Sequence, residues 1–288
     1  MVGKIKYLSD KAVEVRKRLL RMIYQAGGGH TGGSLSSVEI LVALYFDVLN
    51  VDPRDPLKAE RDRFIMSKGH SVESYYCVLA EAGFFPEEWL NTYGKFGSPL
   101  AGHPVNKVPG IELNSGSLGH GLSVGVGMAL AARMDGRKSR VFVLMGDGEQ
   151  AEGSVLEAAM SAGNYKLDNL TGIIDRNRLQ ISGDTEKVMK LDSLRDRYQS
   201  YGWQVREANG NDPGDLLDAF HHLPLKKDHP SLILARTTKG KGVSFIENRP
   251  EWHHKVPTQE QLRLALEELD AAGAKPDTGL GKPNTKRS

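Results

Sequence analysis

Residues 141–153, VFVLMGDGEQAEG, carry an apolar β-branched run straight into Gly-Asp-Gly. A run of this kind that meets a glycine cluster reads as a buried strand ending in a tight turn, and the residues after it (AEGSVLEAAMSAG) read as a helix. Asp147 then stands where a strand hands over to a helix, outside the carboxyl end of a parallel sheet, where ligands bind. Gly-Asp-Gly alone also fits plain turn chemistry. What turns it toward a ligand site is Asn177, which follows the apolar run TGIID with 28 residues between it and Gly148. On adjacent parallel strands the two side chains would emerge at one edge. A carboxylate oxygen, an amide oxygen and one backbone carbonyl are hard ligands suited to Mg2+ or Ca2+, and Mg2+ keeps its remaining positions for phosphate oxygens and water. The spacing implies a diphosphate holder.

His30 in GGGH, His70 in SKGH and His103 in AGHP each follow glycine. Each alone fits a satisfied loop or core histidine. Three of them beside a diphosphate site point to one shared cleft. Glycine also crowds residues 116–133, GSLGHGLSVGVGMALAAR, at positions 116, 119, 121, 125 and 127. Each glycine inside a helix costs about 1 kcal/mol. The cost is offset if another helix packs closely or a ligand lies against the backbone at the helix start.

The elements that must position these residues are legible as an alternation. Residues 10–26 form a helix ending in the triple glycine 27–29, and GGGHTGGSLSS is a loop leading to a second helix with Val38, Ile40, Leu41 and Leu44. Apolar runs at 64–67, 141–145, 171–175, 203–208 and 231–236 read as buried parallel strands, with helical stretches between most of them. The expected fold is α/β, a single parallel-sheet domain with helices on both faces over residues 1–270. Residues 271–288, rich in Gly, Pro and Lys, read as a mobile C-terminal tail.

Composition narrows the function classes. The 288 residues carry a net charge of about +2, and no Lys/Arg run exceeds three residues, so no footprint for nucleic acid exists. No apolar run approaches a membrane span, and the amino terminus lacks a signal-peptide core. The one cysteine, Cys77, lies in the apolar stretch SYYCVLAEAG, which excludes an intrachain disulfide and favours a core position and a reducing compartment. The expectation is a cytoplasmic protein.

Taken in order, GGGHTGGSLS, RDRFIMSKGH, AGHP, NSGSLGHG, GDGEQAEG, DRNRLQISGDTE and KGKGVSF resemble transketolases over nearly the whole chain. Gly-Asp-Gly followed by Asn177 resembles the thiamine diphosphate signature of that wider enzyme family. The likeness is greatest to the amino-terminal, diphosphate-binding chain of transketolases split into two polypeptides. It implies the thiamine diphosphate-binding fold of the diphosphate-binding type, with thiamine diphosphate and Mg2+ as cofactors. Asp147, Asn177 and the main-chain oxygen of Leu179 would hold the metal. Gly116, Ser117 and Leu118 would contact the aminopyrimidine through their backbone, and Gly148 the diphosphate. His70 would reach the diphosphate side, and His30 and His103 the hydroxyl and carbonyl oxygens of a sugar phosphate. A later family histidine, contacting diphosphate and reacting centre, matches His253 or its neighbour His254. His120 stands where single-chain transketolases usually carry Gln. Glu152 and Glu157 match glutamates near the family's subunit interface, and equally suit the first turn of a helix, where the dipole favours acids.

The resemblance also implies what another chain must supply. In the family a glutamate on a second domain protonates the pyrimidine, and an arginine and a serine there read the sugar phosphate. This chain is expected to end before such a domain. Its partner would then be a pyrimidine-binding C-terminal transketolase subunit, in a two-plus-two assembly with a homodimeric contact. Other thiamine diphosphate enzymes, such as a deoxyxylulose phosphate synthase or a 2-oxo acid dehydrogenase component, and a non-catalytic cofactor-binding homologue are the rival readings. A nicotinamide-dependent oxidoreductase lacks the GxGxxG turn with its acidic partner.

Overall fold

The computed structural model describes residues 2–181 and 183–273. The chain runs α1 (Val2–Ala26), α2 (Thr31–Ser36), α3 (Val38–Ala43), β1 (Arg63–Met66), α4 (Val72–Glu81), α5 (His120–Met134), β2 (Val141–Gly146), α6 (Gly153–Asn164) and β3 (Leu170–Arg176). It continues through β4 (Leu179–Gln180), β5 (Gly183–Asp184), α7 (Thr185–Val188), α8 (Leu194–Ser200), β6 (Gln204–Asn209), α9 (Pro213–His221), β7 (Ser231–Arg236) and α10 (Gln259–Gly273). Five strands form one parallel sheet in the order β1-β2-β3-β7-β6. Among the described residues only β4 and β5 pair antiparallel, as a separate hairpin.

Strand parity divides the interior into two cores, one on each face. Val141, Val143 and Met145 of β2 pack with Val126, Val155 and Tyr198, from α5, α6 and α8. Phe142 and Leu144 point the other way, into a core with Leu19, Ile40, Tyr75 and Leu217 from α1, α3, α4 and α9. A strand covered on both faces has no polar side to present, which is why β2 reads as an unbroken apolar run. Cys77 is fully buried in the second of these cores, in line with its apolar surroundings in the sequence. No helix among the described residues is long and apolar enough to cross a membrane.

Register brings the chemical residues to one edge. Gly146 pairs with Asp175 and Arg176 with Arg236, so Asp147, Asn177 and the segment from Thr237 to Lys239 all leave the sheet at its carboxyl end. Met66 pairs with Leu144, which sends Ser67, Lys68 and His70 out at the same edge.

Several expectations change. The segment GGGHTGGSLSS is not an open loop: Thr31–Ser36 is the buried helix α2. Packing overrides the weak helix propensity of its glycines. A Cβ on Gly32 would lie 2.9 Å from the Trp252 carbonyl, and one on Gly33 2.7 Å from Ser71 Oγ. Helix α1 begins at Val2, eight residues before the expected start at 10. The strand-to-helix handover after Asp147 is indirect, with a 3-10 turn over Gly148–Ala151 before α6. Helix α3 stops at Ala43 and Leu44 falls in a π turn. Helix α10 extends through Gly273, so residues 271–273 of the expected tail are helical, and the remainder of that tail lies outside the described residues.

The glycines of 116–133 find a third explanation beside a helix or a ligand. A Cβ on Gly121 would collide with the Ser67 side chain and lie 2.9 Å from its Cα, and one on Gly125 would meet Val143 Cγ2 at 2.6 Å. Their absent side chains let α5 lie directly on the residue that follows β1 and on the middle of β2.

Candidate active site

A cavity of about 410 Å³ opens at the carboxyl edge, walled by the exits of β1, β2, β3 and β7. His30, His70, Gly116, Leu118, Asp147, Gly148, Leu179 and His253 of the expected site residues line it. Lys68, Gly146, Glu149, Gln180, Ile181 and Lys239 complete its wall. A second cavity of about 320 Å³ lies beside it, where His30, His103 and His254 meet Tyr93 and four glycines. His30 is the residue common to both. Its ring centroid lies 5.4 Å from His70, 5.9 Å from His103, 5.6 Å from His253 and 4.6 Å from His254. The two consecutive histidines therefore divide, His253 to the larger cavity and His254 to the smaller. Ser117 is exposed and Asn177 buried, and neither is part of the cavity wall. His120, at the exposed start of α5, is outside it too.

The three histidines that line the larger cavity are held uncharged. Burial first, then the charges of His254, His103 and Lys239, pull the His30 imidazole down to about 4. Burial, then Lys239, take His253 to about 3, and burial with Lys68 leaves His70 well below its ordinary value. At neutral pH such rings accept hydrogen bonds without adding charge.

The cavity also holds two buried lysines, to which the motifs SKGH and KGKG by themselves assign no role. Lys68 Nζ binds the carboxylate of Asp175, which is fully buried and also takes hydrogen bonds from Ser36 Oγ at 2.5 Å and from Thr237 Oγ1. Burial opposes ionisation of Asp175, but Lys68 beside it prevails and its carboxyl sits below the usual range. Lys239 Nζ donates to His253 Nδ1 at 2.9 Å and to the Leu179 carbonyl at 3.4 Å. Burial, reinforced by Lys68, lowers its amine to about 8. The sequence signal for both is a lysine next to glycine just past a strand end.

The residues present fit a metal-bound diphosphate. Asp147, only 2% exposed, is pushed up by burial and by the charge of Asp175, a cost that a cation would relieve. Its Oδ2 accepts from Arg176 Nη1 at 3.0 Å and from the Arg178 amide at 2.6 Å, and its Oδ1 from the Gly148 amide at 2.7 Å. Asn177 Oδ1 accepts from the Leu179 amide at 3.1 Å. Among the described residues no group of three or more His, Cys, Asp and Glu could hold a metal. The candidate set of one carboxylate, one amide and one main-chain carbonyl is of the hard-oxygen kind that suits Mg2+. Glycines keep backbone open to the cavity: a Cβ on Gly116 would lie 2.9 Å from His103, and one on Gly148 2.8 Å from Gln180. Glu149 orders the floor, accepting from Ser67 Oγ and from the amides of Gly119 at 2.8 Å and Gly146 at 2.9 Å.

Residues 9–276 match the family described as transketolase, thiamine diphosphate binding domain. The chain belongs to the transketolase family. Among relatives of this transketolase-family chain, an apulose-4-phosphate transketolase subunit from Phocaeicola vulgatus is 55% identical over 254 residues, 88% of this chain and 90% of the relative. The 6-deoxy-6-sulfo-D-fructose transketolase subunit of a Clostridium species is 40% identical over 268 residues, 93% of this chain and 98% of the relative. The crystal structure of transketolase from Campylobacter jejuni superposes with a TM-score of 0.86 at 29% identity, covering 92% of this chain and 43% of that one. The fold is that of the thiamine diphosphate-binding domain at the amino end of transketolases.

Proposed function

We propose that this chain is the diphosphate- and metal-binding subunit of a two-chain transketolase, which moves a two-carbon ketol unit from a ketose phosphate to an aldose phosphate. The observation that supports the reading is the cavity in which Asp147, Gly148 and Leu179 share one wall with His30, His70 and His253. Bound thiamine diphosphate supplies the nucleophilic carbon and the electron sink needed to break a carbon–carbon bond beside a carbonyl. Asp147, Asn177 and the Leu179 carbonyl would hold Mg2+, or Ca2+ in its place, with Gly148, His70 and Lys239 toward the diphosphate. Gly116, Ser117 and Leu118 would meet the aminopyrimidine. Uncharged His30 can accept a hydrogen bond from a substrate hydroxyl at neutral pH, His253, whose Nδ1 accepts from Lys239, would offer Nε2–H as a donor, and His103 would steady the sugar.

A partner chain enters the proposal through the relatives that are named as subunits and matched along 90% and 98% of their length. It would supply the pyrimidine-binding half, with a second copy of this chain completing a two-plus-two assembly in the cytoplasm. Apulose 4-phosphate is the first donor to assay, because the relative named for it is 55% identical. Use of pyruvate in place of a ketose phosphate would favour a different thiamine diphosphate enzyme.

Two variants test the assignment of roles. Asp147→Ala should abolish Mg2+-dependent thiamine diphosphate binding measured by calorimetry. His103→Ala should spare that binding and lower turnover with the partner by about a hundredfold. Equal loss of binding in both would count against the roles.

A further inference from the structure

The carboxylate of Glu73 belongs to neither the diphosphate holder nor the cavity wall. It lies on the first turn of α4 and is fully buried. Its Oε1 accepts from the His30 amide at 2.8 Å and from Tyr93 Oη at 2.8 Å, and its Oε2 from Ser34 Oγ at 2.7 Å. No lysine or arginine is bridged to it among the described residues. A buried carboxylate without a cation is costly, and burial pushes this one up against the pull of its donors. The chain makes a further concession to it. Gly29 adopts φ +152°, and a Cβ there would lie 2.8 Å from Glu73 Oε1, so the last glycine of GGGH is what lets the carboxylate approach.

His30 has the matching defect. Its ring lines both cavities, yet its Nδ1 is buried and lacks a hydrogen-bond partner among the described residues. Glu73 Oε1 lies 3.9 Å from that atom, too far for a hydrogen bond and within the reach of a small ring rotation. The groups around the ring are otherwise His70, His103, His253, His254 and Lys239, all neutral or cationic. Glu73 is the carboxylate within salt-bridge range of it.

We propose that Glu73 is a positioning residue for His30: its carboxylate accepts a hydrogen bond from Nδ1–H, fixes the tautomer, and leaves Nε2 with a lone pair facing the cavity. A ring nitrogen that must take a hydrogen bond or a proton from a sugar hydroxyl has to be the unprotonated one, and the bond made by the other nitrogen decides which that is. The alternative is that Glu73 only satisfies the amide that precedes α2. Glutamine separates the two, because it keeps an acceptor oxygen for the His30 amide and Tyr93 while removing the charge that favours an Nδ1–H partner.

The test is long-range nitrogen–proton NMR of the full chain with 15N-labelled imidazoles near neutral pH, with the His30 signal identified by its loss in His30→Asn. Wild-type chain is expected to carry the proton on Nδ1. Glu73→Gln should move the tautomer ratio toward Nε2–H by roughly tenfold, and Tyr93→Phe should leave it on Nδ1. A wild-type proton on Nε2, or a ratio unchanged in Glu73→Gln, overturns the proposal, and the wild-type spectrum decides by itself should that variant fail to fold. The catalytic consequence rests on the transketolase reading: in the assembled enzyme Glu73→Gln should lower kcat by about tenfold with cofactor affinity unchanged. Failure of ketol transfer altogether would remove that reading and leave the NMR result standing.

Discussion

Charge compensation at single residues decides how the site responds to pH. Lys68 has Asp175, whereas Lys239 has only His253 Nδ1 and a carbonyl among the described residues, and its amine falls to about 8 from 10.5. Between those two values the unfolded chain binds more protons than the folded one. Stability from this group therefore climbs as pH rises from about 8 toward 10.5. Lys239→Met should remove the climb, seen as thermal midpoints across that range, and raise the midpoint of the cofactor-free chain at pH 7. The same residue should report anion binding. A diphosphate beside the amine favours its charged form, so pyrophosphate with Mg2+ should bind near pH 8 with proton uptake. Calorimetry in two buffers of different ionisation enthalpy should give different apparent enthalpies for wild type and equal ones for Lys239→Met. The variant should also bind about tenfold more weakly, the worth of one charge-assisted hydrogen bond. Equal enthalpies in wild type would sink this account of Lys239.

At the level of elements, helix α5 separates two uses of glycine that look identical in the sequence. Gly121→Ala drives a Cβ into the Ser67 side chain and to 2.9 Å from its Cα, and should destabilise the chain by about 1–3 kcal/mol despite better helix propensity. Gly127 is exposed with nothing within 4 Å, so Gly127→Ala should stabilise by about 1 kcal/mol. Chemical denaturation of both variants checks the pair, and like signs would refute the packing argument. Four of the five sheet strands are readable because a parallel strand buried on both faces must be an apolar run, as in VFVLM and SLILAR, whereas β6, QVREAN at the sheet edge, is mostly half-buried. Helix α2 is not readable, since TGGSLS has the composition of a loop and its helicity comes from Glu73, Trp252 and Ser71, which are distant in sequence. The β4–β5 hairpin, two residues a side, has no periodicity to read. Asp147, Asn177, His30, His70 and His103 are recognisable because glycine or a strand end marks them, whereas His253 rests on the family resemblance alone. Glu73 was hidden in an apolar helix, where a lone acid in SVESYYC was the one available signal.

Seen whole, the molecule leaves apolar side chains exposed on the chain segments that line its two cavities or adjoin them in sequence. Ile181, which lines it, is 75% exposed, Val188 and Met189 beside the hairpin are 45% and 57% exposed, and Phe96 near the second cavity is fully exposed. A second exposed group, Met134, Met160 and Tyr165, lies on and just past α5 and α6, the helix pair that carries Glu157. Exposed apolar groups gathered in this way mark contact surfaces. A site that works on sugar phosphates gains from excluding water, since its electrostatic interactions strengthen when dry. The proposed pyrimidine-binding chain should therefore cover the first group, and a second copy of this chain the second. Hydrogen exchange read by mass spectrometry separates the two contacts. Residues 183–189 and 94–102 should gain protection only when the partner is co-expressed, whereas the α5–α6 face should be protected wherever this chain is dimeric by native mass. Gly127→Arg, placed on the exposed side of α5, should abolish that dimer and leave the fold intact by circular dichroism. An active pair in which residues 183–189 exchange as fast as in the single chain would mean that the cavity is closed by something other than the partner, and the two-chain active site would have to be redrawn.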